Sequence, residues 1–246
     1  MKSKHIIIYG GSSLISRELF KILAQEYNQF TIFCRKRNIV EEYINEAKTE
    51  NLKINIYEVD LLDLEKNFSF IEKLENNIFG LIWVAGLTGK PNEELPDPIK
   101  CENLIRVNFL NPVLFINKIV PKMETEKNSF IVALTSVAGL RGRSKQLFYS
   151  SAKSGFITYL SGLRQKLFTK KINVITVIPG YMRTKAFEAG EWKAPFFLIS
   201  SPKKSAQIIY KAIKSKKEIV YINFFWRIIM FCISFIPEKI FKRLKF

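Results

Sequence analysis

The stretch His5-Ile6-Ile7-Ile8-Tyr9-Gly10-Gly11-Ser12-Ser13-Leu14-Ile15-Ser16 decides the fold. After His5, four apolar residues run without polar alternation, which suits a strand covered on both faces. Two glycines and two serines then make a tight turn, and a helical apolar pattern begins at Leu14. Such a turn points backbone N–H groups and a helix N-terminus at one spot, where they favour an anion, a phosphate above all. Alone, the element is equally a surface loop, so its weight depends on the rest of the chain.

The rest of the chain repeats the theme. Phe30–Cys34, Lys53–Val59, Phe79–Val84, Ser129–Thr135, Ile172–Ile178 and Glu218–Asn223 are further strand-like runs. Between them, helical patterns cover about Leu14–Tyr27, Val40–Thr49, Asp63–Glu75, a long segment ending at Met123, Phe148–Thr169 and Pro202–Lys214. This alternation implies right-handed crossovers and a doubly wound parallel sheet of seven strands, with helices on both faces. A chain of 246 residues fits one such domain, expected over residues 1–222, with an appendage over residues 223–246.

Composition removes several chemistries. His5 is the one histidine, so no Ser-His or Cys-His nucleophile works without it, and His-rich metal sites are excluded. Cys34, Cys101 and Cys232 are widely spaced with no CxxC pair, which fits a reducing compartment. No signal peptide is visible, and no apolar run is long enough to span a bilayer, so a cytoplasmic protein is expected.

The net charge of +17 suggests an anionic partner, although lysine-rich composition drift accounts for part of it. Residues 203–246 hold eleven Lys and Arg against Glu218 and Glu238, so +9 of the +17 lies there. Nucleic acid is not the expected partner, because no recognition motif accompanies the charge and the basic tail is interleaved with aliphatic residues.

Two further elements carry chemistry. Arg35-Lys36-Arg37 comes after the second strand, where a base accommodates a ribose 2′-phosphate and an acid would bind a 2′-hydroxyl. Tyr149-Ser150-Ser151-Ala152-Lys153 puts Tyr149 and Lys153 on one helix face. An ammonium beside a phenol favours the phenolate and makes Tyr149 a usable acid-base.

With these motifs in order, the chain resembles the short-chain dehydrogenase/reductase family over about residues 5–222. The family's glycine-rich turn aligns with Tyr9–Ser16, its Asp-Leu with Asp60-Leu61, its Asn with Asn108 and its Ser with Ser136. Its PGxxxT element is Pro179-Gly180-Tyr181-Met182-Arg183-Thr184. The resemblance implies a Rossmann-type fold and an NADPH-dependent oxidoreductase acting on a ketone. The implied catalytic set is Asn108, Ser136, Tyr149 and Lys153. Tyr149 protonates the carbonyl oxygen, Ser136 bonds it, Lys153 lowers the Tyr149 pKa and holds the ribose, and Asn108 orders a relay water. The implied NADP contacts are Gly10, Ser12, Ser13, Leu14, Ile15, Arg35, Lys36, Asp60, Leu61, Ala85, Gly86, Tyr149, Lys153, Pro179, Gly180, Met182 and Thr184. No metal is expected. Three departures stand out: Leu14 and Ser16 replace two glycines, Trp83-Val84 replaces an Asn pair before Ala85-Gly86, and Tyr9 replaces a Thr.

The tail narrows the resemblance. Phe224–Ile236 reads FFWRIIMFCISFI, and after Pro237 come Ile240, Phe241 and Leu244 opposite Lys239, Lys242 and Arg243. Thirteen helical residues reach only about 20 Å, too short to span. An apolar segment beside a basic amphipathic one suits an anionic membrane surface, or else a helix packed on the core or in a dimer. With the Gly-Gly-Ser-Ser turn and Met182-Arg183-Thr184, this ending is similar to that of the decaprenylphosphoryl-2-keto-erythro-pentose reductases. That group implies a lipid-linked keto-sugar substrate, a flavin-dependent oxidase as partner, and work at the inner face of the cell membrane. Homo-oligomerisation through the helix of Tyr149 and the long helix before it is a further expectation of the family. The open alternatives are another lipid-like ketone (3-oxoacyl, keto-sphingoid or steroid) and a non-catalytic NADP-binding scaffold.

Overall fold

The computed structural model describes residues 2–47, 51–88, 97–125, 128–183, 187 and 194–244. Seven parallel strands form the main sheet: β1 (Lys2–Tyr9), β2 (Tyr27–Cys34), β3 (Lys53–Glu58), β4 (Ile78–Trp83), β5 (Phe130–Leu134), β6 (Asn173–Ile178) and β9 (Ile219–Tyr221). Their order is β3-β2-β1-β4-β5-β6-β9. The order reverses between β1 and β4, and the C-terminal ends of strands at such a point open a ligand crevice. A short pair, β7 (Tyr181–Met182) and β8 (Ile199–Ser200), lies outside this sheet. The connecting helices include α1 (Leu14–Leu23), α2 (Arg37–Glu46), α3 (Leu64–Glu72), α4 (Pro98–Ile105), α5 (Asn111–Ile119) and α6 (Leu147–Leu167).

The unbroken apolar runs have the expected physical cause. Ile6 and Ile8 face one core layer, with Leu19 and Phe20 of α1. Ile7 and Tyr9 face the other, with Phe115 of α5 and Phe156 of α6. His5 is a buried core residue, its Nε2 2.8 Å from the Thr31 hydroxyl oxygen.

The helix expected to run unbroken to Met123 is interrupted. After α4, residues Arg106–Leu110 widen into a π-helical turn, and a 3₁₀ turn over Val120–Lys122 closes α5. Asn108 is buried in the π turn. Such turns concentrate at functional sites because they re-aim side chains.

The C-terminal segment forms a helix over Phe224–Ser234 and a short one over Glu238–Phe241. Trp226 and Met230 join Val137 and Ile178 in a third apolar cluster. Phe224, Ile228, Phe231 and Phe235 form the opposite stripe and are 65%, 47%, 64% and 70% exposed. Arg141 grips the end of this segment, donating to the Glu238 carboxylate at 2.7 Å and the Ile236 carbonyl at 3.1 Å. Among the described residues no helix is long and apolar enough to cross a membrane.

Candidate active site

The crevice begins at the turn after β1. Gly10 has φ +93°, which favours glycine, and a Cβ there would lie 2.6 Å from the Ala85 backbone nitrogen. Gly10 and Gly11 donate to the Phe33 carbonyl at 2.9 and 3.0 Å, which fixes the turn against β2. The two replaced glycines have clear consequences. Leu14 is the first residue of α1 and needs no unusual φ. Ser16 is fully buried, and its hydroxyl donates to the Gly10 carbonyl at 2.9 Å, stitching the turn closed. Ser13 caps α1 by accepting from the Ser16 amide at 3.0 Å. The Leu14 and Ile15 amides, by contrast, have no partner among the described residues.

This turn lines a groove of about 250 Å³, together with Cys34, Arg35, Asp60, Leu61, Ala85 and Gly86. Arg35 and Lys36 make no ion pair among the described residues, whereas Arg37 is held by Glu41 at 2.7 Å. Ser12 ties this basic turn down, its hydroxyl 3.3 Å from the Lys36 carbonyl. Two buried asparagines hold the Asp60-Leu61 turn: Asn67 donates to the Asp60 carbonyl at 2.7 Å and Asn111 to the Leu61 carbonyl at 2.6 Å. Trp83 donates to the Ala85 carbonyl at 3.0 Å, and Tyr9 stacks between Trp83 and Phe33. The two aromatic departures thus form a stacked floor under the groove.

Ser136 comes just after β5, and its oxygen caps the following 3₁₀ turn by accepting from the Ala138 amide at 3.1 Å. Gly139 lets this turn press on α6, since a Cβ there would lie 2.8 Å from the Lys153 carbonyl carbon. The approach brings the Ser136 hydroxyl and the Tyr149 phenol into the wall of one pocket. Burial pushes the phenol above its usual value, and the neighbouring Ser136 hydroxyl pulls it part of the way back.

Lys153 is 3% exposed, and burial lowers its pKa to about 8. Its ammonium lies 5.8 Å from the Tyr149 ring centroid and donates to the Leu134 carbonyl at 3.3 Å. The helix face is shared as the i, i+4 spacing predicts. The expected lowering of the Tyr149 pKa is absent, because burial sets the direction for both groups.

Asn108 is fully buried, and its amide donates to the carbonyls of Leu87 at 2.7 Å and Leu104 at 3.0 Å. Its oxygen accepts from the Leu87 amide at 3.2 Å. With both donors committed to backbone, the Asn108 side chain acts here as a positioning residue for the loop after β4. A Cβ on Gly86 would sit 3.0 Å from the Asn108 oxygen and 3.4 Å from the Lys153 ammonium, so this loop joins groove and acid-base pair.

A second pocket, of about 240 Å³, opens over Ser136 and Tyr149. Leu87 lines the groove and Thr88 this pocket, so the two meet at adjacent residues. Pro179, Gly180 and Met182 form one wall, and Thr184 falls outside the described residues. Arg143, Gln146, Tyr181 and Phe187 also line it, and no sequence pattern singles them out as site residues. Trp226 is equally hidden: it backs Gly180 so closely that a Cβ would lie 1.9 Å from its indole nitrogen. Only a long-range contact reveals these residues.

Comparisons with known proteins give the family and the fold. The family model described as short chain dehydrogenase matches residues 4–193. Over 180 residues the chain is 26% identical to a 3-oxoacyl-[acyl-carrier-protein] reductase of Bos taurus, covering 72% of this chain and 75% of that protein. An uncharacterized oxidoreductase of Mycobacterium tuberculosis is 23% identical over 242 residues, covering 97% of this chain and 96% of its own length. Among solved structures, a short chain dehydrogenase from Burkholderia cenocepacia in complex with NADP has the same fold, with a TM-score of 0.81 and 17% identity, covering 98% of this chain and 97% of that one. The chain therefore belongs to the short-chain dehydrogenase family of NAD(P)-dependent oxidoreductases.

Proposed function

We propose that the protein reduces a ketone with NADPH, and that the ketone is the 2-keto-pentose of a polyprenyl-phosphate-linked sugar. The carrying observation is that Ser136 and Tyr149 line one pocket, which adjoins the groove at Leu87 and Thr88. When bound, the dinucleotide supplies a hydride to the carbonyl carbon. The unpartnered Leu14 and Ile15 amides and the Ser12–Ser13 turn suit its pyrophosphate, and Arg35 with Lys36 suits a 2′-phosphate. Asp60-Leu61 and Ala85-Gly86 flank its path, and Lys153 holds its ribose.

Tyr149 protonates the carbonyl oxygen and Ser136 bonds that oxygen as charge develops on it. A raised phenol pKa serves reduction, because the acid stays protonated through neutral pH. Lys153, charged below about pH 8, steadies the phenolate left behind.

The outer apolar stripe of Phe224, Ile228, Phe231 and Phe235, with Arg227, Lys239, Lys242 and Arg243 nearby, supports docking on an anionic membrane at the inner face of the cell membrane. There the enzyme would meet a lipid-linked substrate and a flavin-dependent oxidase that makes it.

The test is NADPH consumption with a polyprenyl-phosphate 2-keto-pentose generated by such an oxidase. Tyr149-dependent oxidation of NADPH is expected, and full activity of Tyr149→Phe refutes the mechanism. Phe231→Glu with Phe235→Glu leaves Trp226 and Met230 in place and should release the protein from sedimenting phosphatidylglycerol vesicles. A 3-oxoacyl thioester is the second reading, favoured by the name of the bovine relative. Faster turnover of a 3-oxoacyl thioester than of the keto-sugar would select it.

A further inference from the structure

Two arginines of one loop keep opposite company. Arg141 is fully engaged: it pairs with Glu238, donates to the Ile236 carbonyl and covers the Phe241 ring at 4.2 Å. Arg143, two residues on, has no ion pair or side-chain hydrogen bond among the described residues. It is half-buried and lines the second pocket with Gln146, Ser136 and Tyr149. No carboxylate of the described residues lines that pocket. A half-buried guanidinium with no counter-ion among the described residues is well placed to take a bidentate oxyanion.

Apart from Thr88, the remaining walls are aliphatic or aromatic. Tyr181 and Phe187 have ring centroids 6.4 Å apart, and Tyr181 lies 5.7 Å from Trp226. An aromatic surface thus runs from the pocket to the helix whose outer stripe is exposed phenylalanine.

We infer that Arg143 is a specificity-determining residue that binds the phosphate of an amphiphilic substrate. The reacting ketone lies at Ser136 and Tyr149, and the apolar chain leaves along Tyr181 and Phe187. The inference rests on the reductase reading, since it needs a ketone at Tyr149, but the Arg143 contact can be read separately.

Two ketones of matched length make the test: dodecyl 2-oxopropyl phosphate and the uncharged dodecyl 2-oxopropyl carbonate. Wild type should prefer the phosphate diester. Arg143→Gln should cut that preference, as the ratio of the two kcat/KM values, by about tenfold or more, mainly through KM. Arg143→Lys should retain part of it. An unchanged ratio, or an equal loss with both ketones, overturns the inference. Calorimetric binding of dodecyl phosphate to the NADPH-loaded protein gives a second readout without turnover. About tenfold weaker binding by Arg143→Gln is expected, and equal binding by both proteins overturns the inference. If wild type reduces neither ketone, the reductase reading fails and the calorimetry alone decides Arg143.

Discussion

The groove and the second pocket are nearly equal in size, about 250 and 240 Å³, yet they are built differently. Backbone shapes the groove: a glycine in the left-handed region, an N-capped helix and turns fixed by Asn67 and Asn111. Side chains shape the pocket: the Arg143 guanidinium, two aromatic rings and the phenol of Tyr149. A backbone-built site suits a ligand common to many enzymes, whereas a side-chain-built site can be retuned residue by residue.

The largest expected effect sits where the two regions meet. Tyr149→Phe should lower kcat by about a thousandfold, in the range for loss of a positioned acid. NADPH binding, followed by nucleotide fluorescence, should persist. Loss of both would mean that the phenol supports the groove as well as the pocket.

Lys153 comes next, because function and stability oppose each other there. Its folded pKa of about 8 lies below the roughly 10.4 of an unfolded lysine. Below pH 8 both states hold the proton, and the buried charge costs about 3 kcal/mol of stability. Between about pH 8 and 10.4 the unfolded chain binds more protons, so the folded state gains stability as pH rises. Lys153→Met should therefore raise Tm at pH 7, with the advantage fading by about pH 10.4, while turnover collapses. A Tm difference independent of pH would refute the burial argument.

The pocket wall supplies a smaller effect. Gly180→Ala should destabilise by about 2 kcal/mol through overpacking against Trp226. Trp226→Ala should recover part of that loss in a double-mutant cycle read by urea denaturation. Strict additivity would mean that the tail helix shifts away instead. The smallest effect belongs to the groove rim: Arg35→Glu should cut the preference for NADPH over NADH by about tenfold, read as a kcat/KM ratio. An unchanged preference would move that choice to Lys36.

The groove is legible in sequence because its parts are local. Gly10 through Ile15 is one turn and one helix start, and Arg35-Lys36 comes directly after its strand. Tyr149 and Lys153 are legible for the same reason, as a four-residue spacing on one helix. The pKa order is not, because it depends on burial, which adjacency does not encode. The π turn around Asn108 is hidden within a plain helical pattern. Arg143 reads as one more surface base until Tyr181 and Phe187, distant in sequence, are seen to enclose the same pocket.

The contact of Trp226 with Gly180 limits how the tail can be exchanged between relatives. A transplanted C-terminal helix with an aromatic residue at its inner position fits only a recipient with glycine in the loop beneath it. A recipient with any larger residue there would accept the graft with its helix lifted and the wall of the pocket displaced. Chimeras made to move the tail helix from one enzyme to another should therefore carry loop and helix together, as a single heritable unit.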